Sequence, residues 1–127
     1  MTTQEFIARL EAEVTAPMLE YYRSWAEDGE GSYNESHIQK CAELLDGYAA
    51  SLASIDAPAG AKRDKKIMAA VKKVVLALNK LNEKTDYEML ETDERESICV
   101  LITDAAVQAG LTELPEDDDV TGEWREF

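Results

Sequence analysis

The segment 92–110, TDERESICVLITDAAVQAG, constrains the fold more than any other stretch of the chain. A threonine and an aspartate at its start can cap a helix, and Gly110 is a natural stop because glycine adopts the left-handed conformation without a steric clash. At about 100° per residue, one face collects the apolar side chains Ile98, Leu101, Ile102, Ala105 and Ala109. Val100 and Val107 fall nearly opposite. Because a helix that is apolar on two sides needs neighbours on both, the pattern predicts the central helix of an all-α domain.

The N-terminal stretch predicts a helix interrupted by a proline. Thr2 and Glu5 have the spacing of a capping box, which places a helix start at the beginning of the sequence. One helical phase then runs through Phe6, Ile7, Leu10, Val14, Met18, Tyr21 and Trp25. Pro17 removes a backbone donor, so we expect a kink there, or two nearly coaxial helices divided near Thr15.

The aromatic end of this first helix has two interpretations. Tyr21, Tyr22 and Trp25 could line a ligand pocket between the first and the central helix. Their helical spacing favours the alternative, in which these rings are part of the hydrophobic core.

Two further helices are predicted in the middle of the chain. Ser32 and Glu35 have capping-box spacing and open a helix that ends near Ser54. Its apolar face consists of Ile38, Cys41, Ala42, Leu45, Tyr48, Ala49 and Leu52. Gly47 falls on the opposite face, where it costs about 1 kcal/mol relative to alanine. After the loop IDAPAG, a third helix is predicted over 61–81, with the stripe Ile67, Val71, Val74, Val75, Leu78 and Leu81.

The third predicted helix carries most of the positive charge. From Lys62 to Lys84 there are eight basic residues and two acids, a net charge of +6; the rest holds five basic and 25 acidic residues, a net charge of −20. Leu76 lies in the middle of the lysine face. This face is either a contact surface for an acidic partner or phosphate, or a solvated face balanced by acidic neighbours within the domain. In the first case the partner-binding residues are Lys72, Lys73, Leu76 and Lys80.

Composition limits the classes of function. The formal net charge of −14 argues against binding to nucleic acid or an anionic membrane and favours a basic protein partner. The two cysteines lie within apolar helical patterns, which suits reduced thiols in a cytosolic protein. The N-terminus has no features of a secretion signal, and no apolar run approaches the roughly 20 residues of a membrane span. We therefore expect a soluble, cytoplasmic protein.

The only histidine, His37, restricts metal chemistry. Di-iron bundles need Glu-x-x-His pairs, whereas Asn34 stands three residues before this histidine. His37 and Cys41 have the spacing of two ligands on one helix face, but only Cys99 could add a thiolate, so we favour a half-buried structural histidine. The acidic loop 117–122 has a partial EF-hand spacing without the final glutamate. With no phosphate loop and no nucleophile elbow, the sequence predicts no catalytic residue, metal or cofactor.

The last third of the chain carries a resemblance as well as a prediction. Thr121 can cap a last short helix, and we expect Trp124 and Phe127 to dock on the bundle with Val120 packed beside them. The stretches LNEKTDYEMLETDERESICVLITDAAVQAGL and DVTGEWREF resemble a residue pattern of small acidic bacterial proteins of uncharacterised function. The resemblance implies a bacterial origin and a helical fold, without a named chemistry.

These observations predict one all-α domain over 1–127. It is a bundle of about four main helices, the first kinked at Pro17, with a short C-terminal helix. The preferred function is a non-enzymatic protein-binding module, immunity- or antitoxin-like, that masks a basic partner. One alternative is a structural protein that self-associates through Lys72 and Leu76. The other is a small-ligand-binding or enzymatic domain.

Overall fold

The computed structural model describes residues 1–25 and 33–127, except for the side chain of Trp25. These two ranges are all-α and contain no strand. The elements are α1 (Thr3–Leu10), a π-helical turn (Glu11–Thr15), α2 (Ala16–Trp25), α3 (Glu35–Ala53), α4 (Ala61–Lys84) and α5 (Thr92–Gln108). We call α1, the π-helical turn and α2 together the N-terminal helix because they follow one another without a gap. The described ranges therefore form the predicted bundle of four main helices.

Consecutive helices of the bundle run in opposite directions. Arg23 near the end of α2 pairs with Glu35 at the start of α3, with a distance of 3.4 Å between nitrogen and oxygen. In the first turn of α4, the Arg63 Nε donates a 2.6 Å hydrogen bond to the carbonyl of Ala109, just beyond the end of α5. The connection between α3 and α4 is short, as expected for antiparallel neighbours. The four main helices therefore form an up-down-up-down bundle.

All the main helices contribute to one continuous core. Its fully buried large side chains include Met18, Leu45, Ile67, Leu78, Met89, Ile98, Leu101 and Ile102. The hydroxyl of Tyr48 donates a 2.8 Å hydrogen bond to the carbonyl of Ile102, which satisfies a buried polar group between α3 and α5. Cys41 and Cys99 are buried free thiols.

The backbone register of the N-terminal helix changes immediately before Pro17. The N–H of Ala16 donates to the carbonyl of Glu11, five residues earlier, whereas an α-helix would use the residue four earlier. Pro17 has no N–H to continue the regular α-helical ladder, so a change of register at this point has a local chemical cause. The predicted division near Thr15 coincides with the end of the π-helical turn.

The prediction that segment 92–110 forms a helix covered on two sides is wrong. One broad face of α5 is buried, comprising Ile98, Cys99, Leu101, Ile102, Ala105 and Ala106. On the other side, Val100 is 53% exposed and Val107 is 42% exposed. The prediction required every apolar residue to have a neighbour, but single apolar side chains are common on protein surfaces. α5 therefore lies at the side of the bundle, with one face buried and the opposite face exposed to solvent, and it is not a central helix.

The start of α3 differs from the prediction in its capping residue. Ser32 lies outside the described residues, and the cap is Asn34, whose side-chain oxygen accepts a 2.9 Å hydrogen bond from the N–H of Ser36. The N–H of Asn34 in turn donates to Nδ1 of His37 at 3.0 Å. His37 thus takes the place that glutamate or glutamine occupies in a common capping box. This contact gives the histidine a structural role at the start of α3.

The C-terminal segment packs on the bundle but does not form the short helix predicted from Thr121. Residues 120–124 form turns. The side chain of Asn79 in α4 donates to the carbonyl of Trp124 at 2.8 Å and accepts from the N–H of Glu126 at 2.9 Å. Because these backbone groups pair with α4, they are not used to extend a helix. Trp124 and Phe127 are partly buried against the core, which confirms the predicted docking.

Candidate protein-binding surfaces

An acidic groove separates the N-terminal helix from the start of α5. Its volume is about 410 Å³. The residues that line it, which define the acidic groove below, are Glu13, Val14, Pro17, Tyr21, Glu91, Thr92, Asp93, Glu94 and Ser97. Four of these nine side chains are carboxylates, and the groove contains neither a lysine nor an arginine. The groove is therefore a concave surface of one electrostatic sign.

Local structure explains why the carboxylates gather there. Glu91 is the N-cap residue of α5 but forms no capping hydrogen bond with its side chain. Asp93 and Glu94 follow in the first turn, where the positive end of the helix dipole favours negative charge. The π-helical turn supplies Glu13 from the facing helix, and such turns are frequent at functional sites. The helix dipole thus partly offsets the repulsion between the acids.

Arg9 neutralises part of the charge at one end of the groove. Its Nε donates to the carboxylate of Glu13 at 2.9 Å, and its Nη1 donates to Asp104 of α5 at 3.0 Å. The hydrogen bond that Arg9 donates to Glu13 is the main reason that the pKa of Arg9 lies above its ordinary value. Glu91, Asp93 and Glu94 form no ion pair within the described residues. The unneutralised negative charge is therefore concentrated at the start of α5.

The titration of two neighbouring groups reflects this environment. Burial raises the pKa of the Glu94 carboxyl group, and the charges of Asp93 and Glu91 raise it further, against the lowering effect of a backbone hydrogen bond. Burial also raises the pKa of Tyr33 to about 12, with the charge of Glu94 as the next cause. A cation beside Glu94 would act in the opposite direction and stabilise the ionised carboxylate.

Of the three aromatic residues proposed from the sequence, Tyr21 and Tyr22 lie in different surroundings. Tyr21 lies in the acidic groove and is 53% exposed. Tyr22 is partly buried against the core, and its ring centroid lies 6.1 Å from that of Tyr33. The side chain of Trp25 lies outside the described residues. Tyr21 is thus the one member of the trio that the described structure brings next to carboxylates.

The lysine face predicted on α4 is exposed. Lys72, Lys73 and Lys80 all face solvent, and Leu76 is 42% exposed between them. None of these lysines is within ion-pair distance of an acid in the described residues, where all four ion pairs use arginine. Direct pairing with acids of the described ranges therefore does not account for this concentration of positive charge.

Both cysteines are buried in the bundle, and the histidine belongs to the cap of α3. Burial raises the pKa of Cys41 to about 12. Burial also raises the pKa of Cys99, whose sulfur lies 3.3 Å from the hydroxyl oxygen of Thr121. Because the thiolate is the reactive form, these environments do not activate either cysteine as a nucleophile. No group of three metal-ligating side chains occurs in ranges 1–25 and 33–127.

The sequence contained only part of the signal for the acidic groove. Asp93 and Glu94 are neighbouring acids at a predicted helix start, where the helix dipole favours them, but Glu13 is about 80 residues away in the chain. Their proximity depends on the antiparallel packing of the N-terminal helix with α5, which helical periodicity does not determine. Pro17 and Tyr21 lie in the part of the first helix that lines the groove, but the sequence does not indicate which residues face them.

Comparisons with protein-family models, with curated proteins and with solved structures find no match. Within the described ranges, none of the helices has the combination of length and apolar character that a membrane span requires. The functional interpretation consequently depends on the geometry and charge of the surfaces described above.

Proposed function

We propose that this chain is a non-enzymatic binding module for a basic protein partner, and that the acidic groove is the contact site. The observation that carries this proposal is the grouping of four carboxylates with the exposed ring of Tyr21 around one concave surface. An arginine or lysine side chain inserted there would meet carboxylates at the start of α5 and an aromatic face on α2. Both kinds of group attract cations, the ring through its quadrupole.

The overall charge supports the same class of partner. Outside the stretch from Lys62 to Lys84 the chain has a net charge of −20, so a basic protein would be attracted before contact. Masking a basic partner in this way is the role of an immunity- or antitoxin-like protein. A cytoplasmic location, favoured by two buried free thiols, and a bacterial origin belong to this proposal.

Neutralising the groove tests the proposal. The variant Glu91→Gln, Asp93→Asn, Glu94→Gln removes three carboxylates and changes no side chain much in size. We expect its affinity for an arginine-rich peptide, measured by titration calorimetry, to fall about tenfold or more, which corresponds to about 1.4 kcal/mol. Added salt should weaken the binding of the unmodified protein because the attraction is electrostatic.

A matched control separates the groove from net charge. The variant Glu116→Gln, Asp117→Asn, Asp118→Asn removes the same number of charges from an exposed loop. We expect its affinity to stay within about threefold of the unmodified protein, since distant exposed charges are screened. Equal losses in the two variants would show that the peptide responds to net charge and would refute the groove as the contact site.

Self-association is a second candidate, and Leu76 is the observation that favours it. This exposed leucine lies among lysines that form no ion pair with the described residues, in a chain that carries a net charge of −20 outside the stretch from Lys62 to Lys84. A second copy could supply the acids that face Lys72 and Lys80. Sedimentation at low and high salt tests this candidate: a concentration-dependent dimer at either salt supports it, and a monomer at both rules it out.

A further inference from the structure

A shallow groove runs between α3 and α4, on a different surface from the acidic groove. Its volume is about 240 Å³. The residues that line it, which define the α3–α4 groove below, are Glu43, Leu44, Gly47, Tyr48, Ser51, Ala70, Lys73, Val74 and Ala77. Most of these side chains are small or apolar, so a rod-shaped ligand could approach both helices closely.

Gly47 has no role within the described fold that requires glycine. It lies in the interior of α3, where alanine is more favourable than glycine. No atom of the described residues lies within 4 Å of the position that a Cβ atom would occupy there. Neither backbone conformation nor a close neighbour in the bundle explains the residue. A backbone of another chain crossing α3 at this point would explain it, because glycine permits the closest helix approach.

One lysine of this groove, Lys73, belongs to a row of lysines along α4. Lys66, Lys73 and Lys80 are seven residues apart and lie on one stripe of the helix, and all three are exposed. They form no ion pair within the described residues. A heptad spacing places the charges along the direction that a parallel or antiparallel helix would follow, over roughly 21 Å. The acid Glu43 lines the groove on its α3 side.

We propose that the α3–α4 groove binds an acidic amphipathic helix of another protein. The small residues at Gly47, Ala70 and Ala77 admit its apolar side chains, and its glutamates or aspartates pair with the row Lys66, Lys73, Lys80. The exposed lysine row makes this surface locally positive in a chain whose net charge is −14, so it favours an acidic helix over a basic or uncharged one. This surface is independent of the acidic groove and of the basic partner proposed for it.

The test uses a synthetic peptide of about three heptads, with leucine at the two core positions and glutamate at the flanking positions. Binding is followed by chemical shifts of the ¹⁵N-labelled protein. We expect changes confined to the groove, at Gly47, Ala70, Lys73 and Ala77, and none at the start of α5. A peptide with lysine in place of every glutamate should leave these four signals unchanged. Failure of the acidic peptide to shift them would overturn the proposal.

Three variants make the outcome specific. Lys73→Glu, Lys80→Glu should weaken binding of the acidic peptide at least about tenfold, which the charge reversal predicts. The control Lys65→Glu, Arg95→Glu makes the same change of net charge outside the row and should weaken it less than about threefold. Gly47→Leu, whose side chain enters empty space, should abolish binding with the fold intact.

Two other results would count against the proposal. Shifts of the same four signals with rising protein concentration and no peptide would assign the surface to a second copy. Equal weakening by the two double variants would show that net charge, and not the groove, attracts the peptide. Neither result bears on the acidic groove, which is tested with a basic peptide and different variants.

Discussion

Asn79 is the residue that connects the C-terminal segment to the bundle. Its side-chain amide pairs with the carbonyl of Trp124 and the N–H of Glu126. Asn79 itself is buried, with 8% of its surface exposed. A second asparagine one turn later, Asn82, accepts a 3.0 Å hydrogen bond from the N–H of Leu90 and so fixes the connection into α5. Both polar residues lie on the apolar side of α4 and replace backbone hydrogen bonds that irregular segments lack.

Replacing Asn79 tests its anchoring role. Asn79→Ala removes two part-buried hydrogen bonds to the backbone, so we expect the free energy of unfolding to fall by about 1–3 kcal/mol. Trp124 should become more exposed, which fluorescence can report in a Trp25→Phe background. Asn79→Asp is the matched comparison because it can accept from Glu126 but cannot donate to Trp124. A stability loss in Asn79→Asp equal to that in Asn79→Ala would mean that the accepting contact contributes nothing.

Residue patterns predicted the capping chemistry less well than the helices themselves. Thr2 caps α1 through the N–H of Glu5, as its spacing indicated. At α3, however, Asn34 and His37 form the box, and a histidine in the third position is not part of the common pattern, which has glutamate or glutamine there. The choice among nearby polar residues depends on where the preceding turn ends. Periodicity gives no information about that point.

At the scale of elements, α5 shows what periodicity can and cannot determine. Its main face, centred on Ile98 and Ile102, was predicted and is buried. The exposure of Val100 and Val107 was not predicted, because a helical wheel records apolar character but not the number of neighbouring helices. The number of neighbours that cover a helix follows from the geometry of the bundle. In this bundle each main helix contributes one face to the core.

Substitutions in α5 check this assignment. Val100→Gln and Val107→Gln should each change the free energy of unfolding by no more than about 0.5 kcal/mol, since exposed positions tolerate polar residues and glutamine is the better helix former. Ile98→Ala should cost about 2–5 kcal/mol through a buried cavity. Chemical denaturation measures all three. A decrease in the free energy of unfolding of more than about 2 kcal/mol in either valine variant would contradict this assignment and support a helix covered on two sides.

For the N-terminal helix, the sequence predicted the position of the irregularity before Pro17 but not its form. Pro17 was expected to disturb the helix near Thr15, and the described structure places a π-helical turn there. The sequence did not indicate which irregularity would form, since a kink and a change of register both accommodate a missing donor. The observed form matters for the site because Glu13 belongs to this turn and lines the acidic groove.

On the scale of the whole molecule, charge separates into two surfaces. α4 and its ends carry the net charge of +6, and the start of α5 forms an acidic groove with the helix that packs beside it. The sequence alone revealed the lysine face because those residues are neighbours on one helix. It did not reveal the acidic groove or the α3–α4 groove, because each requires two helices from distant parts of the chain to be adjacent.

The acidic groove implies a definite pH dependence for binding. The pKa of Glu94 is raised in the free protein, so its ionised form is disfavoured there. A basic partner binds the ionised form better, and affinity should therefore increase as pH rises through the pKa of Glu94 and decrease as pH falls below it. The same coupling requires that a bound partner lowers this pKa.

The most direct test of this account is the pKa of the Glu94 carboxyl group, measured by ¹³C NMR with and without the arginine-rich peptide. Without peptide, the pKa should lie above the ordinary value for glutamate because of burial and the charges of Asp93 and Glu91. With saturating peptide, we predict a decrease toward or below the ordinary value. An unchanged pKa of Glu94 in the saturated complex would contradict the acidic groove as the site that binds a basic partner.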